Sequence, residues 1–396
     1  MLGLARRISI ILSNEIKRLS RLRLSHLVTS VRSFRIAGTL VPGPRTVLLV
    51  EPNAYHSETL PGYISLIAAA GYTCWLVVRP HADVDGAISR LPVENRAPIL
   101  RMNLWAIAMF LRSKKAQQFD LIFFNSGSIA EPHGYFGGVL EYFGRLPSTR
   151  LGYLMIEHSD QYLRERRDWR RLDPERLFAL TPVRSKDVTL NMLAPVELGR
   201  FTQPALKKPR LLVAVGRFSP THRNLHALVQ AVEVLRLEGT SSFKVIAIGA
   251  KDREVQLPES VRPHIELVGS QSFTAMYASV EAAHYFLPLL DSSINAHRTY
   301  LSGNTTGSRQ LILGFEKIGI WETPFAEAYG FSEADAIVYA PGALADGMRR
   351  ALALDPIEYA AKIEGVGRLK RLAFQSSLDN LRAFILAQER ITGEQH

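Results

Sequence analysis

Twice along the chain, short apolar runs alternate with helical stretches, and a polar, proline-bounded break at residues 202–209 separates the two series. An apolar run of strand length, then a helix, then another such run is the pattern of a βαβ unit, which sets its strands parallel beneath covering helices. In the first series, residues 47–50, 74–78, 121–125, 151–157 and 177–180 read as strands, with helices over 60–70 and 102–114. In the second, strands are expected at 211–215, 244–248, 265–268, 284–287 and 318–321, with helices over 224–237, 273–279, 308–315 and 344–354. The expected fold is therefore α/β, with two Rossmann-like doubly wound domains at 43–201 and 210–355 facing a cleft. A segment 1–42 precedes them, the break 202–209 links them, and C-terminal helices fill 356–396. Such sheets bind ligands outside the carboxyl ends of their strands, so the site is expected in the cleft.

With 396 residues and 47% hydrophobic content, each domain can bury a core of its own. The single cysteine, Cys74, rules out an internal disulfide framework, and no Cys or His cluster has zinc-site spacing; a reducing cytoplasm is the expected setting. The formal charge is +11, and eight Lys and Arg against Glu15 alone place +7 of it in residues 1–35. There Ile8, Ile11, Leu12, Ile16, Leu19 and Leu22 recur at steps of three and four with cations between them, as in an amphipathic helix. Such a helix either packs on the first domain with its cations in water or lies in an anionic membrane surface, which would place the protein peripherally on the cytoplasmic face. The apolar run 8–12 is too short to span a bilayer, and no small-residue cleavage site follows it. No aromatic interleaving or nucleic-acid module accompanies the charge, so no nucleic-acid partner is expected.

The stretch 211–224, LLVAVGRFSPTHRN, carries the most chemistry: a buried strand, Gly216 for the turn, then Arg217 and Arg223 in the loop before a helix beginning at Asn224. Helix N-termini offer free NH groups and a positive dipole end, and arginine forks add bidentate contacts, so the loop suits a diphosphate. The plainer alternative is two solvated loop cations. Thr305, Thr306, Gly307 and Ser308, before a second helix, form either another anion seat or a cap without a ligand.

A strand, then Gly-Arg-Phe, then a basic residue before a helix resembles the opening of the C-terminal domain in glycosyltransferases of the two-Rossmann (GT-B) fold, particularly the retaining family 4 type. There the Gly-Arg and the following cation contact the donor diphosphate, which the resemblance carries to Gly216, Arg217, Arg223 and Asn224. KVIAIG, ending at Gly249, resembles that family's second strand, and IELVGSQSFTAMYASVEAA resembles the segment flanking the nucleotide base, which implies that Val268 and Gly269 lie beside the base. Thr306, Gly307 and Ser308 fall on the donor loop. The family's Glu-x7-Glu pair is missing: Leu311 or Ile312 stands where the second Glu belongs, and Gly303 or Asn304 where the first does.

In the first domain, His56 and Glu58 precede Pro61-Gly62 in the loop after the opening strand, and either side chain is a candidate base for an inverting transfer. Glu131 with His133, and His158 with Asp160, follow later strands, and His158 resembles the first-domain His of many retaining members. An isolated loop histidine is otherwise a hydrogen-bonded structural residue. No phosphate-loop, nucleophile-elbow or Gly-x-Gly-x-x-Gly motif occurs, which argues against ATPase, esterase and nicotinamide-dependent readings. With Arg217 and Arg223 available to meet the donor phosphates, no metal is expected. The resemblance thus implies a metal-independent, hexosyl-type glycosyltransferase with no cofactor. It would use a UDP- or GDP-sugar donor and a glycan or lipid-linked acceptor, in envelope or exopolysaccharide synthesis. A sugar-nucleotide or glycan-binding homologue without turnover, and a sugar-nucleotide 2-epimerase, stay open beside it.

Overall fold

A computed structural model of the chain describes residues 24–39, 41–53, 55–95, 97–130, 136–144, 146–159, 163, 172–181, 190–219, 221–250 and 256–393. The amphipathic stretch 8–22 lies outside these residues, as do Glu131, His133 and Asp160.

The first domain holds β1 (Thr46–Val50), β2 (Thr73–Val78), β3 (Ile99–Arg101), β4 (Leu121–Phe124), a small antiparallel pair β5 (Ser128–Ala130) and β6 (Phe136–Gly138), then β7 (Tyr153–Glu157), β8 (Leu177–Ala179) and β9 (Asn191–Met192). Seven of these form one sheet in the order β3-β2-β1-β4-β7-β8-β9. Its pairings are parallel throughout. Because helices cover both faces, its central strands read as unbroken apolar runs, and every residue of β1 is buried. Along the chain, α1 (Leu24–Thr39) is followed by α2 (Leu60–Ala69), α3 (Val84–Ile88), α4 (Leu104–Leu111) and α5 (Val139–Phe143). Tyr63, Leu66 and Ile67 of α2 pack on one face of the sheet, and Ile107 and Phe110 of α4 with Phe143 of α5 pack on the other.

The second domain repeats the plan with β10 (Arg210–Val215), β11 (Phe243–Ile248), β12 (Ile265–Gly269), β13 (Tyr285–Phe286), β14 (Ile318–Glu322) and β15 (Ala336–Tyr339). The order is β12-β11-β10-β13-β14-β15, again parallel, so the strand order reverses beside β10, where such sheets open a ligand crevice. Its helices are α6 (Leu225–Leu237), α7 (Phe273–Ala282), α8 (Asn295–Arg298), α9 (Gly307–Phe315), α10 (Thr323–Tyr329) and α11 (Leu344–Ala353). Within residues 43–355 the strands and helices named from the sequence are present, and the expected C-terminal helices are one helix. The structure adds β3, β5, β6, β9, β15, α1, α3, α5, α8 and α10, and shortens the 102–114 helix to α4.

A single helix, α12 (Pro356–Gly393), runs through both domains. Val366 and Ala373 join the second domain's core, while Leu378, Leu381, Phe384 and Ile385 join the first's. The two domains also touch across the cleft. The Phe273 amide donates to Asp83 at 2.7 Å, Arg90 pairs with Glu281 at 2.9 Å, and the Thr305 hydroxyl donates to the His158 carbonyl at 2.9 Å.

Candidate functional site

Two loop clusters meet where the carboxyl ends of the two sheets face each other. In the second domain, Gly216 ends β10 with φ +140° and Gly249 follows β11 with φ +141°. A Cβ on Gly249 would lie 1.9 Å from the Gly216 carbonyl oxygen, so both backbones come together only because a side chain is missing there. That close approach leads the loop into Arg223.

Arg223 is buried, and its guanidinium is held entirely by neutral groups. Nε donates to the Val215 carbonyl at 3.3 Å, Nη1 to the His222 carbonyl at 3.0 Å, and Nη2 to the hydroxyls of Thr306 at 3.0 Å and Ser308 at 3.3 Å. Burial pushes its pKa down. Thr306 caps α9, accepting from the Ser308 amide at 3.3 Å, so Arg223 ties the β10 loop to that helix N-terminus. His297, in α8, is fully buried beside them. Its Nδ1 accepts the Asp291 amide at 2.9 Å, which assigns the proton to Nε2, and Nε2 has no partner. Burial and the charge of Arg223 push this imidazole down to about 4, so it stays neutral. Among the described residues, then, a buried guanidinium without a carboxylate partner, an N–H without an acceptor and a capped helix N-terminus stand together, an arrangement suited to an anion.

The other second-domain residues named from the sequence divide by environment. Arg217 is exposed two residues beyond β10, six residues before Arg223. Asn224 caps α6, accepting from the Ala227 amide at 3.0 Å, and donates to Asp291 at 2.8 Å; its amide therefore positions the helix and the acid. Val268 and Gly269 end β12, half-buried at the far edge of the sheet, where Gly269 accepts from the Gly249 amide at 2.8 Å. Gly307 is exposed at the first position of α9 with open space around it. Leu311 and Ile312, where the family's second Glu was sought, are core residues.

In the first domain the loops after β1, β4 and β7 close around a buried carboxylate. Glu51, directly after β1, accepts from the Asn53 amide at 2.6 Å, from the Ser126 hydroxyl at 2.9 Å and from the Asn125 side-chain amide. Burial raises its pKa to about 7 against the opposing pull of His56. His158 Nε2 donates to the Asn125 carbonyl at 2.8 Å, and burial together with His56 pushes it down to about 3, leaving a neutral ring. His56 stacks on that ring with centroids 4.1 Å apart and sits in the left-handed region at φ +70°. A backbone strained in this way at a loop tip is a frequent companion of function. Burial opposes the charging of His56, but Glu58, 3.3 Å from its Nδ1, outweighs this and raises the pKa, while the same contact lowers that of Glu58. The carboxylate on Nδ1 leaves Nε2 as the atom able to accept a proton.

The structure thus brings His56, Glu58 and His158 together, and the Thr305 bond to the His158 carbonyl joins them to the loop that precedes α9. Sequence reading missed Glu51 and His297. The first carries one signal, a carboxylate ending a wholly apolar strand; the second sits in an ordinary polar stretch, SSINAHRTY, that carries none.

No protein-family model and no curated protein sequence matches the chain. Among solved structures, AviGT4, a glycosyltransferase involved in avilamycin A biosynthesis, is similar over 87% of this chain and 99% of its own, with a TM-score of 0.52 and 14% identity. The kitacinnamycin glycotransferase covers 88% and 100% at 15% identity with a TM-score of 0.45. WaaG, a glycosyltransferase involved in lipopolysaccharide biosynthesis, covers 82% and 95% at 11% identity with a TM-score of 0.43. Together with the two parallel sheets and their facing carboxyl ends, the first likeness fixes the architecture: this chain has the GT-B fold of two Rossmann-like domains.

Proposed function

We propose that the protein is a GT-B glycosyltransferase that takes a sugar from a UDP- or GDP-sugar and inverts the anomeric centre. The observation that carries the donor half is Arg223, buried with neutral partners only, beside the orphaned Nε2–H of His297 and the N-terminus of α9. A diphosphate seated there would take up these donors, with Arg217 of the same loop as a second cation. Fixed positive groups would then oppose the negative charge that grows on the departing phosphate oxygen, the role a metal ion plays elsewhere.

The acceptor half is the His56–Glu58 pair. His56 Nε2 takes the acceptor hydroxyl proton as that oxygen bonds to the anomeric carbon, and the bond from that carbon to the diphosphate breaks with its electron pair leaving on phosphate. Glu58 holds the imidazole in the competent tautomer, and neutral His158 supports its ring from beneath. The Thr305 hydroxyl, on the second-domain loop before α9, donates to the carbonyl of the His158 on which His56 stacks. A glycan or lipid-linked acceptor in envelope or exopolysaccharide synthesis fits this reading.

The test is transfer by the full chain from a panel of UDP- and GDP-hexoses to lipid-linked and free glycan acceptors, with the product anomer read by NMR. His56→Ala is expected to lower kcat by a factor of about 100 or more while leaving donor affinity within about twofold. Transfer with retention, or unchanged kcat in that variant, would overturn the base assignment. Because α9 has core leucine and isoleucine where the family's second Glu belongs, the second reading is a sugar-nucleotide-binding protein without transfer. It predicts diphosphate binding with no product from any acceptor.

A further inference from the structure

The flank of the first domain formed by α1 and α4, beside the edge strand β3, carries an apolar and basic surface the transfer chemistry does not use. α1 is pinned there by its inner side: Ser33 accepts the Arg101 amide at 3.0 Å, Ser30 accepts the Asn103 amide at 3.0 Å, and Ala37 enters the core. Residues 30, 33 and 37 share one side of a helix, so Val28, Arg32 and Arg35 fall on the opposite side, with Val31 and Ile36 beside them. All five are exposed. The helix contains no acidic residue.

α1 packs against α4, which has an outward row of its own. Trp105 is 61% exposed, Met109 is 43% exposed, and Arg112 caps the helix in the same row at a spacing of four and then three. The buried tryptophans Trp75 and Trp321 show what this fold does with indoles in its core. Leaving one in water costs hydrophobic free energy that a partner would recover.

Charge complementarity selects the partner. The cations of this flank continue the basic N-terminal sequence, where Arg6, Arg7, Lys17, Arg18, Arg21 and Arg23 precede α1. An indole, a thioether and valines interleaved with arginines match the boundary between anionic headgroups and acyl chains, where Trp is enriched and each cation adds its own attraction. No helix among the described residues is long and apolar enough to cross a membrane, so the contact would be interfacial. We infer that the α1 and α4 faces together dock on an anionic phospholipid bilayer, with Trp105 and Met109 entering the headgroup boundary and Arg32, Arg35 and Arg112 meeting lipid phosphates. The inference is independent of the donor site and would hold for a protein that transfers nothing.

The test is co-sedimentation of the full chain with vesicles of phosphatidylglycerol and phosphatidylcholine, and with phosphatidylcholine alone. Binding is expected on the anionic vesicles only, weakening as salt is raised, with a blue shift in tryptophan emission that Trp105→Phe abolishes. Trp105→Ser with Met109→Ser is expected to weaken partitioning by about tenfold or more at unchanged melting temperature, because both side chains are exposed and remove little from the core. Failure of the wild-type chain to bind anionic vesicles would overturn the inference. So would unchanged binding by the double variant, which would assign docking to residues 1–23 alone, or a dimer in light scattering that the double variant dissolves, which would assign the face to a second copy.

Discussion

At the residue scale, burial decides what each charged group can do, and burial is what a sequence does not display. Arg217 and Arg223 stand six apart in one loop and read alike, yet the first is exposed and the second is enclosed by the β10 loop and α9. Glu51 shows the same effect in a carboxylate. Its folded pKa of about 7 lies above its ordinary 4.5, so the unfolded chain ionises first as pH rises and stability falls between those values. His158 has the opposite sign: held down at about 3, it costs stability as pH drops below its ordinary 6.5. Glu51→Gln removes only the first effect. Its melting temperature relative to wild type is therefore expected to climb as pH goes from 4.5 to 8, read by thermal melts across that range; a difference constant with pH would mean that Glu51 ionises normally. The histidines were legible as candidates because loop His residues after strands are few here. Their stacking and the acid beneath them belong to tertiary structure alone.

At the element scale, the parallel strands were legible because a sheet covered on both faces favours unbroken apolar runs, as in residues 47–50 of β1. The edge strand β3 was not, since it is three residues long and only Leu100 of it is buried. The glycines were legible as turn residues, but their pairing was not. Gly249 and Gly216 are 33 residues apart in sequence and in contact in space. Gly249→Ala would drive a methyl into the Gly216 carbonyl at 1.9 Å and force alanine to φ +141°, so a loss of about 3 kcal/mol or more is expected in urea unfolding. Gly307→Ala, at the open first turn of α9, is the control and should leave stability within about 0.5 kcal/mol. Equal effects at the two positions would contradict the packing described.

At the scale of the whole molecule, the two domains are held as a pair by α12 and by contacts at the cleft rim. The sequence marked residues 356–391 as helical, and the helix's apolar positions are now seen to be shared between two cores: Val366 and Ala373 on one side, Leu381 and Phe384 on the other. This pairing brings the His158 loop, on which His56 stacks, to the loop before α9, two segments 147 residues apart in sequence. The proposed donor site depends on the second domain's loop binding a diphosphate through Arg223. Calorimetric titration of the wild-type chain and Arg223→Gln with UDP, GDP, UMP and GMP tests it most directly. For the wild type, one diphosphate is expected to bind at least about tenfold tighter than its monophosphate. In Arg223→Gln, folded by its thermal melt, that gap should close to within about threefold. A wild-type chain that binds no nucleoside diphosphate, or an undiminished gap in the variant, would contradict the account.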